Sequence, residues 1–254
     1  MKKPAVLALI PARGNSKGIL RKNLQPLGGK PLVAYSILTA KESRRIDRII
    51  VSTEDEEIAE VAKSYGAEIP FTRPAELAAD DTPDLPVFEH ALKWFKAHEA
   101  WLPDMVVHLR PTSPLRRVQD VDHGIQLLIK TKADSVRSVC QAREHPRKMW
   151  QLDGDRLRPL LKPRREGDAP WNAPRQTLEQ VYWQNASVDV LWSKTILEKH
   201  SMTGSDIRGF IMEERFSIDI DEPLDLALAE LVLQRSEHQE GHAERRQSEI
   251  GSNR

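Results

Sequence analysis

The residues best suited to bind a polyanion lie together in segment 10–23, which reads IPARGNSKGILRKN and begins at the end of an apolar run. Within it, Arg13 and Lys17 stand beside Gly14 and Gly18. Glycine lets main-chain N–H groups approach a ligand closely, and the two cations add charge-assisted hydrogen bonds that suit phosphate oxygens. The segment therefore predicts a phosphate-binding turn, for which a solvated basic loop is the alternative.

A pair of aspartates near the end of the chain could bind a divalent cation. Asp219 and Asp221 are two residues apart in a segment predicted to be extended, so their carboxylates point to the same side. Close like charges are unfavourable unless a cation joins them, and oxygen ligands suit Mg²⁺ beside a substrate phosphate. Alternatively, Asp221 caps the following helix, with Pro223 in its first turn, but capping accounts for only one of the two aspartates.

Other kinds of site lack their characteristic residues. A Walker P-loop needs serine or threonine after its lysine, whereas Lys30 is followed by Pro31. Cys140 is the only cysteine, which excludes an internal disulfide and a cysteine-cluster metal site, and the eight histidines show no metal spacing. Ser113 lacks the flanking glycines of a nucleophile elbow. The acidic stretch 80–84 is interpreted as a solvated loop rather than a metal site.

The overall charge of the chain is balanced. Among its 254 residues, 38 are lysine or arginine and 38 are aspartate or glutamate, so no net charge attracts the protein to nucleic acid or to a membrane. Any polyanion site must be local. The apolar run before Pro11 and Arg13 is too short for a signal peptide, and no run approaches membrane length. We expect a cytoplasmic protein that binds neither nucleic acid nor membrane.

The positions of strands and helices alternate along most of the chain, which predicts an α/β fold with a mainly parallel sheet and helices on both faces. The segment 110–116, which reads RPTSPLR, would form a rigid loop at the carboxyl end of a strand, where open α/β sheets bind ligands. Strands are predicted at 6–10, 48–53, 104–109, 133–139, 187–192, 210–212 and 216–220, and helices at 31–43, 54–66, 85–97, 118–130, 194–200 and 224–232.

The periodic pattern breaks down between 141 and 184. This segment is rich in arginine, proline, tryptophan and tyrosine, and aromatic side chains argue against disorder. We predict a single domain over 1–235 in which 141–184 forms an extending subdomain that packs on a second subunit, giving a homodimer. Residues 236–254 are almost devoid of apolar side chains and are predicted to form a disordered tail.

Five motifs resemble those of the acylneuraminate cytidylyltransferases, also called CMP-sialic acid synthetases, and they occur in the same order from about residue 6 to 233. They are the first segment, RPAELAADDT, LRPTSPLR, the PRQ at 174–176 and SIDIDEPLDLALAE. The resemblance implies a Rossmann-like nucleotide-diphospho-sugar transferase fold. It also implies an Mg²⁺-dependent transfer of CMP from CTP to the anomeric hydroxyl of a nine-carbon 2-keto acid sugar, with release of pyrophosphate.

The resemblance also implies roles for individual residues. Arg13, Lys17 and Asp219 would be catalytic. The residues that would contact the nucleotide are Arg13, Ser16, Lys17, Asn23, Arg73 and Arg110, with Arg13 and Lys17 on the triphosphate and Asn23 on the cytosine. The sugar would contact Lys148, Arg175 and Asn185. The metal would be held by Asp219 and Asp221.

Four positions depart from the pattern of the family around the acceptor, and they concern the identity of the sugar more than the reaction. Arg110 stands where glutamine is common, Ala186 stands where glycine is usual, and Trp183 and Asp189 replace other side chains. Two alternatives stay open. One is a CMP-3-deoxy-manno-octulosonate synthetase, against which the PRQ and SIDIDEPLDL motifs argue, and the other is a non-catalytic nucleotide-sugar-binding protein.

Overall fold

The computed structural model describes residues 3–165 and 167–235, so the predicted tail at 236–254 lies outside the described residues. Within those ranges, the strands of the main sheet are β1 (Val6–Pro11), β2 (Arg48–Ser52), β3 (Met105–His108), β4 (Ser135–Gln141), β7 (Tyr182–Trp192) and β8 (Ile207–Ile211), while β5 (Trp150–Asp153) and β6 (Arg156–Pro159) pair with each other. The six strands of the main sheet lie in the order β8-β4-β7-β3-β1-β2.

The sheet is mainly parallel, as predicted. β1 is parallel to both β2 and β3, and β8 is parallel to β4. β7 is antiparallel to both of its neighbours. The reason is the long segment after β4, which leaves the sheet at Gln141, the carboxyl end of β4. The chain returns at the same end of the sheet, where Tyr182 pairs with Gln141.

Helices cover both faces of the sheet, which confirms the predicted α/β class. Alternate residues of a strand point to opposite faces, so Ala8 packs in one core cluster and Leu9 in the other. One cluster is formed with α1 (Leu32–Glu42), α2 (Glu56–Ser64) and α4 (Val118–Thr131), and the other with α3 (Asp84–His98) and α5 (Ser193–Leu197). None of the described helices is long and apolar enough to cross a membrane.

The strand predicted at 216–220 is wrong. Glu214–Phe216 is a 3-10 turn, and the residues that follow form no ladder with a neighbouring strand. The alternating pattern arises instead because Ile220 is buried in a third apolar cluster, while its backbone N–H donates to the carbonyl of Thr112 at 2.8 Å. Among the described residues, a further helix, α6, occupies 223–235.

The hairpin of β5 and β6 presents much of its apolar surface to solvent. Leu152 is 70% exposed and Leu157 is 58% exposed. Both strands are exposed along almost their whole length. The predicted extending segment is therefore partly ordered as a hairpin outside the main sheet, and its role in a dimer stays a prediction.

Candidate active site

A cavity of about 530 Å³ lies beyond the carboxyl ends of β1 and β3. This is the edge where parallel α/β sheets bind ligands. It brings together side chains from segment 10–23, here called the first turn, from the loop before α3, from the loop after β3 and from residues 219–222, here called the aspartate segment. Of the predicted site residues, it is lined by Arg13, Ser16, Lys17, Asn23, Arg73, Arg110 and Asp221.

The first turn and the aspartate segment are packed directly against each other. A Cβ atom on Gly18 would lie 2.1 Å from the backbone oxygen of Asp221, so only glycine fits at this contact. Lys22 reinforces it, because its Nζ donates to the carbonyl of Ile220 at 2.8 Å and to Asp221 Oδ1 at 2.9 Å. Ile19 and Ile220, which are adjacent in sequence to Gly18 and Asp221, pack together in the third apolar cluster and stabilise this contact.

The two cations predicted to bind the triphosphate are paired with one aspartate of the acidic loop. Arg13 Nη1 lies 3.0 Å from Asp80 Oδ1, and Lys17 Nζ lies 3.0 Å from Asp80 Oδ2. Arg13 Nη1 also donates to the backbone oxygen of Ala79 at 3.0 Å. The loop predicted to be merely solvated thus forms one wall of the cavity.

Asn23 and Arg73 are nearly buried and brace the cavity wall. The Asn23 amide donates to the carbonyl of Arg13 at 2.8 Å, which fixes the first turn. Arg73 donates to the hydroxyl of Ser52 at 3.1 Å and also to the Ser52 carbonyl. Burial lowers the pKa of Arg73 to about 10, so the side chain stays charged at neutral pH. Their contacts with a nucleotide stay predictions.

The Arg110 side chain is held by hydrogen bonds to three residues. Its guanidinium donates to Asp84 at 2.8 Å, to the buried Asp189 at 2.9 Å and to the carbonyl of Ala186 at 3.2 Å. Burial opposes the charged form, but Asp189 and Asp84 outweigh it and raise the pKa of Arg110. Ala186 has a left-handed φ of 54°, which explains why glycine would suit this position. Three of the four departures therefore form one contact group.

The aspartate pair stands between two cavities. Asp221 lines the first, and Asp219 lines a second cavity of about 440 Å³. Asp219 Oδ1 is buried and has no hydrogen-bond partner among the described residues. Burial, and then the charge of Asp221, raise the pKa of Asp219, whereas a hydrogen bond from Thr112 opposes this. An unpartnered carboxylate oxygen beside a second carboxylate suits a hard divalent cation.

The donor set fits Mg²⁺ shared with a substrate better than a cation held by protein alone. The described residues contain no group of three or more histidine, cysteine, aspartate and glutamate side chains that could hold a metal. Mg²⁺ commonly uses one or two carboxylates and completes its shell with waters and substrate phosphates. Asp219 and Asp221 could supply those two carboxylates.

The second cavity is lined mainly by residues that were not predicted to lie near the sugar. The exception is Trp183, one of the four departures around the acceptor. Arg143 lines it and forms an ion pair with Glu214. Its apolar walls include Trp183, Met149 and Leu228. Arg143 lies just beyond the edge of β4, and its signal in the sequence was only that it begins the arginine-rich segment. Local sequence does not reveal that Arg143 and Asp219 line the same cavity.

The three residues predicted to bind the sugar are absent from the lining of the second cavity, as far as the described residues show. Lys148 donates to the carbonyl of Trp171 at 3.1 Å, and Arg175 donates to that of Ala142 at 2.5 Å. Asn185 is fully buried, where it accepts from Ser138 and donates to Ser217. The structure gives Asn185 a bracing contact to the segment that carries Asp219, and sugar binding by all three stays a prediction.

Comparisons with known proteins found a matching family model and similar sequences. A family model described as Cytidylyltransferase matches residues 7–150. The chain is 33% identical over 230 residues to the CMP-N,N'-diacetyllegionaminic acid synthase of Legionella pneumophila, covering 90% of this chain and 96% of the relative. It is 30% identical to the post-translational flagellin modification protein B of Campylobacter coli, covering 90% and 94%.

A solved structure shares the fold at lower sequence identity. It is the CMP:2-keto-3-deoxy-manno-octonic acid synthetase in complex with CTP, with a TM-score of 0.65 and 13% identity, covering 91% of this chain and 99% of the other. At this identity the likeness concerns the fold alone. It supports the Rossmann-like architecture predicted from the sequence.

Proposed function

The chain belongs to the cytidylyltransferase family, and we propose that it transfers CMP from CTP to the anomeric hydroxyl of a nonulosonic acid, with release of pyrophosphate. The observation that carries this proposal is the position of the aspartate pair. Asp221 lines the cavity that contains Arg13 and Lys17, and Asp219 lines the neighbouring cavity. A reaction between a bound nucleotide and a bound acceptor requires two adjoining pockets of this kind.

The residues at hand suit nucleotidyl transfer, which relies on positioning and charge neutralisation rather than on covalent catalysis. Arg13 and Lys17 would hold the triphosphate and neutralise the departing pyrophosphate. Asp219 and Asp221 would hold Mg²⁺, which when bound neutralises charge on phosphate oxygens. Arg73 and Asn23 would fix the nucleotide end of the cavity through the wall that they brace.

The second cavity is the proposed acceptor site. A 2-keto acid sugar carries a carboxylate, for which an arginine is a strong partner. Arg143 lies at this cavity and is two-thirds exposed, so it is accessible to such a group. Trp183, Met149 and Leu228 would pack against the apolar parts of the sugar. Relatives named as synthases of CMP-diacetyllegionaminic acid and as pseudaminic acid cytidylyltransferases favour a nonulosonic acceptor.

Variants of the aspartate pair test the reaction. Asp219→Asn and Asp221→Asn should each reduce Mg²⁺-dependent pyrophosphate release by at least about 100-fold, while CTP binding in calorimetry stays measurable. If both variants release pyrophosphate at the wild-type rate, the proposal is contradicted. A wild-type protein that binds CTP but turns over no acceptor would instead favour the non-catalytic alternative.

Arg143→Gln tests the acceptor site separately from the donor site. The KM for the acceptor should rise by about tenfold or more, because a charge-assisted contact to the carboxylate is lost. The affinity for CTP should be unchanged, since Arg143 lies outside the first cavity. An unchanged acceptor KM would exclude Arg143 as the carboxylate partner and return the role to Lys148 or Arg175.

We further propose that the protein works as a cytoplasmic homodimer. The exposed apolar side chains of the hairpin, Leu152 and Leu157 among them, would be buried in such a dimer. Light scattering at micromolar concentration should give twice the chain mass of 28.9 kDa. Replacing Leu152 and Leu157 by serine should shift the protein toward the monomer, and a monomeric wild type would refute the proposal.

A further inference from the structure

The first cavity contains nearly as many carboxylates as cations. This balance is unexpected for a pocket that has to accept a polyanion, because internal carboxylates repel the ligand and neutralise the cations meant for it. Each carboxylate must therefore either hold a metal, stay bound to its cation or leave when the ligand arrives. Five cations line the cavity, Arg13, Lys17, Lys22, Arg73 and Arg110, together with four carboxylates, Asp80, Asp84, Asp221 and Glu222.

Two of these carboxylates are fixed by contacts that a ligand cannot easily replace. Asp84 is the first residue of α3 and is paired with Arg110, which is itself anchored by the buried Asp189. Asp221 belongs to the proposed metal pair, and the glycine contact described above seats its backbone against the first turn. Neither is placed to move away as a nucleotide enters.

Asp80 differs because its two carboxylate oxygens are divided between the two cations that would hold the triphosphate. Oδ1 lies 3.0 Å from Arg13 Nη1, and Oδ2 lies 3.0 Å from Lys17 Nζ. Asp80 is an exposed residue in a turn that belongs to neither a helix nor a strand. A carboxylate in this position satisfies Arg13 and Lys17 in the way that phosphate oxygens would.

We propose that Asp80 is an internal counter-anion that occupies a phosphate position of the nucleotide site, and that the nucleotide must displace it to bind. This inference rests on the proposed nucleotide site. Displacement moves the acidic turn away from Arg13 and Lys17, so binding and opening of the turn are coupled. Because the two ion pairs must break, the free energy of nucleotide binding is less favourable by the cost of breaking them. Asp80 is thus a residue that sets how strongly a phosphate ligand must compete to enter.

The size of the effect follows from the exposure of the pairs. The Lys17 side chain is 80% exposed, so its pair contributes little, whereas Arg13 and Asp80 are 30% and 37% exposed. Partly exposed ion pairs of this kind are worth well under the value of a buried pair. Removing the charge of Asp80 should therefore tighten phosphate binding by about three- to tenfold.

The test compares Asp80→Asn with Asp81→Asn, which makes the same charge change one residue away at an exposed side chain for which the described residues show no ion pair. Calorimetry would measure the Kd of CTP and, separately, of inorganic tripolyphosphate, with the melting temperature as a check on folding. Asp80→Asn should lower both Kd values by about three- to tenfold, and Asp81→Asn should change them by less than about twofold. In turnover, Asp80→Asn should lower the KM for CTP.

Two results would overturn the inference. Equal effects of the two substitutions would mean that only the general field of the loop matters. Weaker CTP binding by Asp80→Asn would mean that Asp80 assists the nucleotide. If no variant binds CTP but tripolyphosphate tightens in Asp80→Asn alone, the counter-anion role holds and the proposed nucleotide specificity fails.

Discussion

Substitution of Arg110 by glutamine should destabilise the protein, and substitution of its partner Asp189 should relieve part of that loss. Asp189 is 1% exposed on the central strand β7, and its carboxylate is bound to Arg110 at 2.9 Å. The next cation, Arg137, lies farther away at 3.8 Å from the other oxygen. Arg110→Gln therefore leaves a buried carboxylate with one distant partner, whereas Asp189→Asn in the same chain removes the charge.

The magnitude follows from the cost of stranding a buried charge. Breaking a buried pair by removing one partner costs about 3–5 kcal/mol. Because Arg137 supplies partial compensation, we expect the lower end, about 3 kcal/mol, for Arg110→Gln. In a domain of this size that corresponds to a decrease in melting temperature of roughly 6–12 °C. The coupling energy between Arg110→Gln and Asp189→Asn in a double-mutant cycle should be about 2 kcal/mol.

Thermal and urea unfolding of the two single variants and the double variant would measure these values. Arg208→Gln is the matched control, because its ion pair with Asp206 is about half exposed on both sides and should cost less than about 1 kcal/mol. Additive losses in the double variant, or an Arg110→Gln variant as stable as the control, would refute the view that Arg110 exists to neutralise Asp189.

Three further predictions concern other parts of the molecule. Gly18→Ala should reduce kcat/KM by about 100-fold, since its Cβ would push the aspartate segment from the first turn, whereas Gly209→Ala meets only ordinary contacts and should be neutral. Burial lowers the pKa of His108 to about 3, so below pH 6.5 the unfolded chain binds a proton at His108 that the folded chain does not. Between pH 7 and 5 the wild type should therefore lose about 2 kcal/mol more unfolding free energy than His108→Leu. Parallel stability profiles of the two proteins against pH would exclude this role of His108. Asn185→Ala should cost about 1–3 kcal/mol in unfolding experiments, because the buried Ser138 hydroxyl loses its acceptor and the Ser217 hydroxyl loses one donor. Unchanged stability with impaired sugar binding would show a direct sugar contact instead.

The sequence was sufficient to predict the fold class because periodicity reports burial. The apolar run at 6–10 and the alternating pattern at 187–192 correspond to the buried strands β1 and β7. The error at 216–220 has the same origin. Alternation there reflects which side chains are buried against the third apolar cluster, and burial alone does not require a hydrogen-bonded ladder.

The cavity was predictable in part, because its lining comes from loops at the ends of parallel strands. Arg13, Lys17 and Asp221 could be grouped from motif and topology. The pairing of Asp80 with the cations and the position of Arg143 could not. Both depend on how an irregular loop folds back over the sheet, and local sequence patterns do not encode such long-range contacts.

The central claim is a CMP transfer from CTP to a nonulosonic acid, and product identification tests it most directly. Purified protein would be incubated with CTP, Mg²⁺ and sialic, legionaminic and pseudaminic acids, with 3-deoxy-manno-octulosonate as the competing acceptor. Mass spectrometry should detect a CMP-sugar with at least one nonulosonic acid, together with an equal amount of pyrophosphate. A product formed with 3-deoxy-manno-octulosonate alone would contradict the assigned acceptor, and no product with any sugar and any nucleoside triphosphate would contradict the reaction itself.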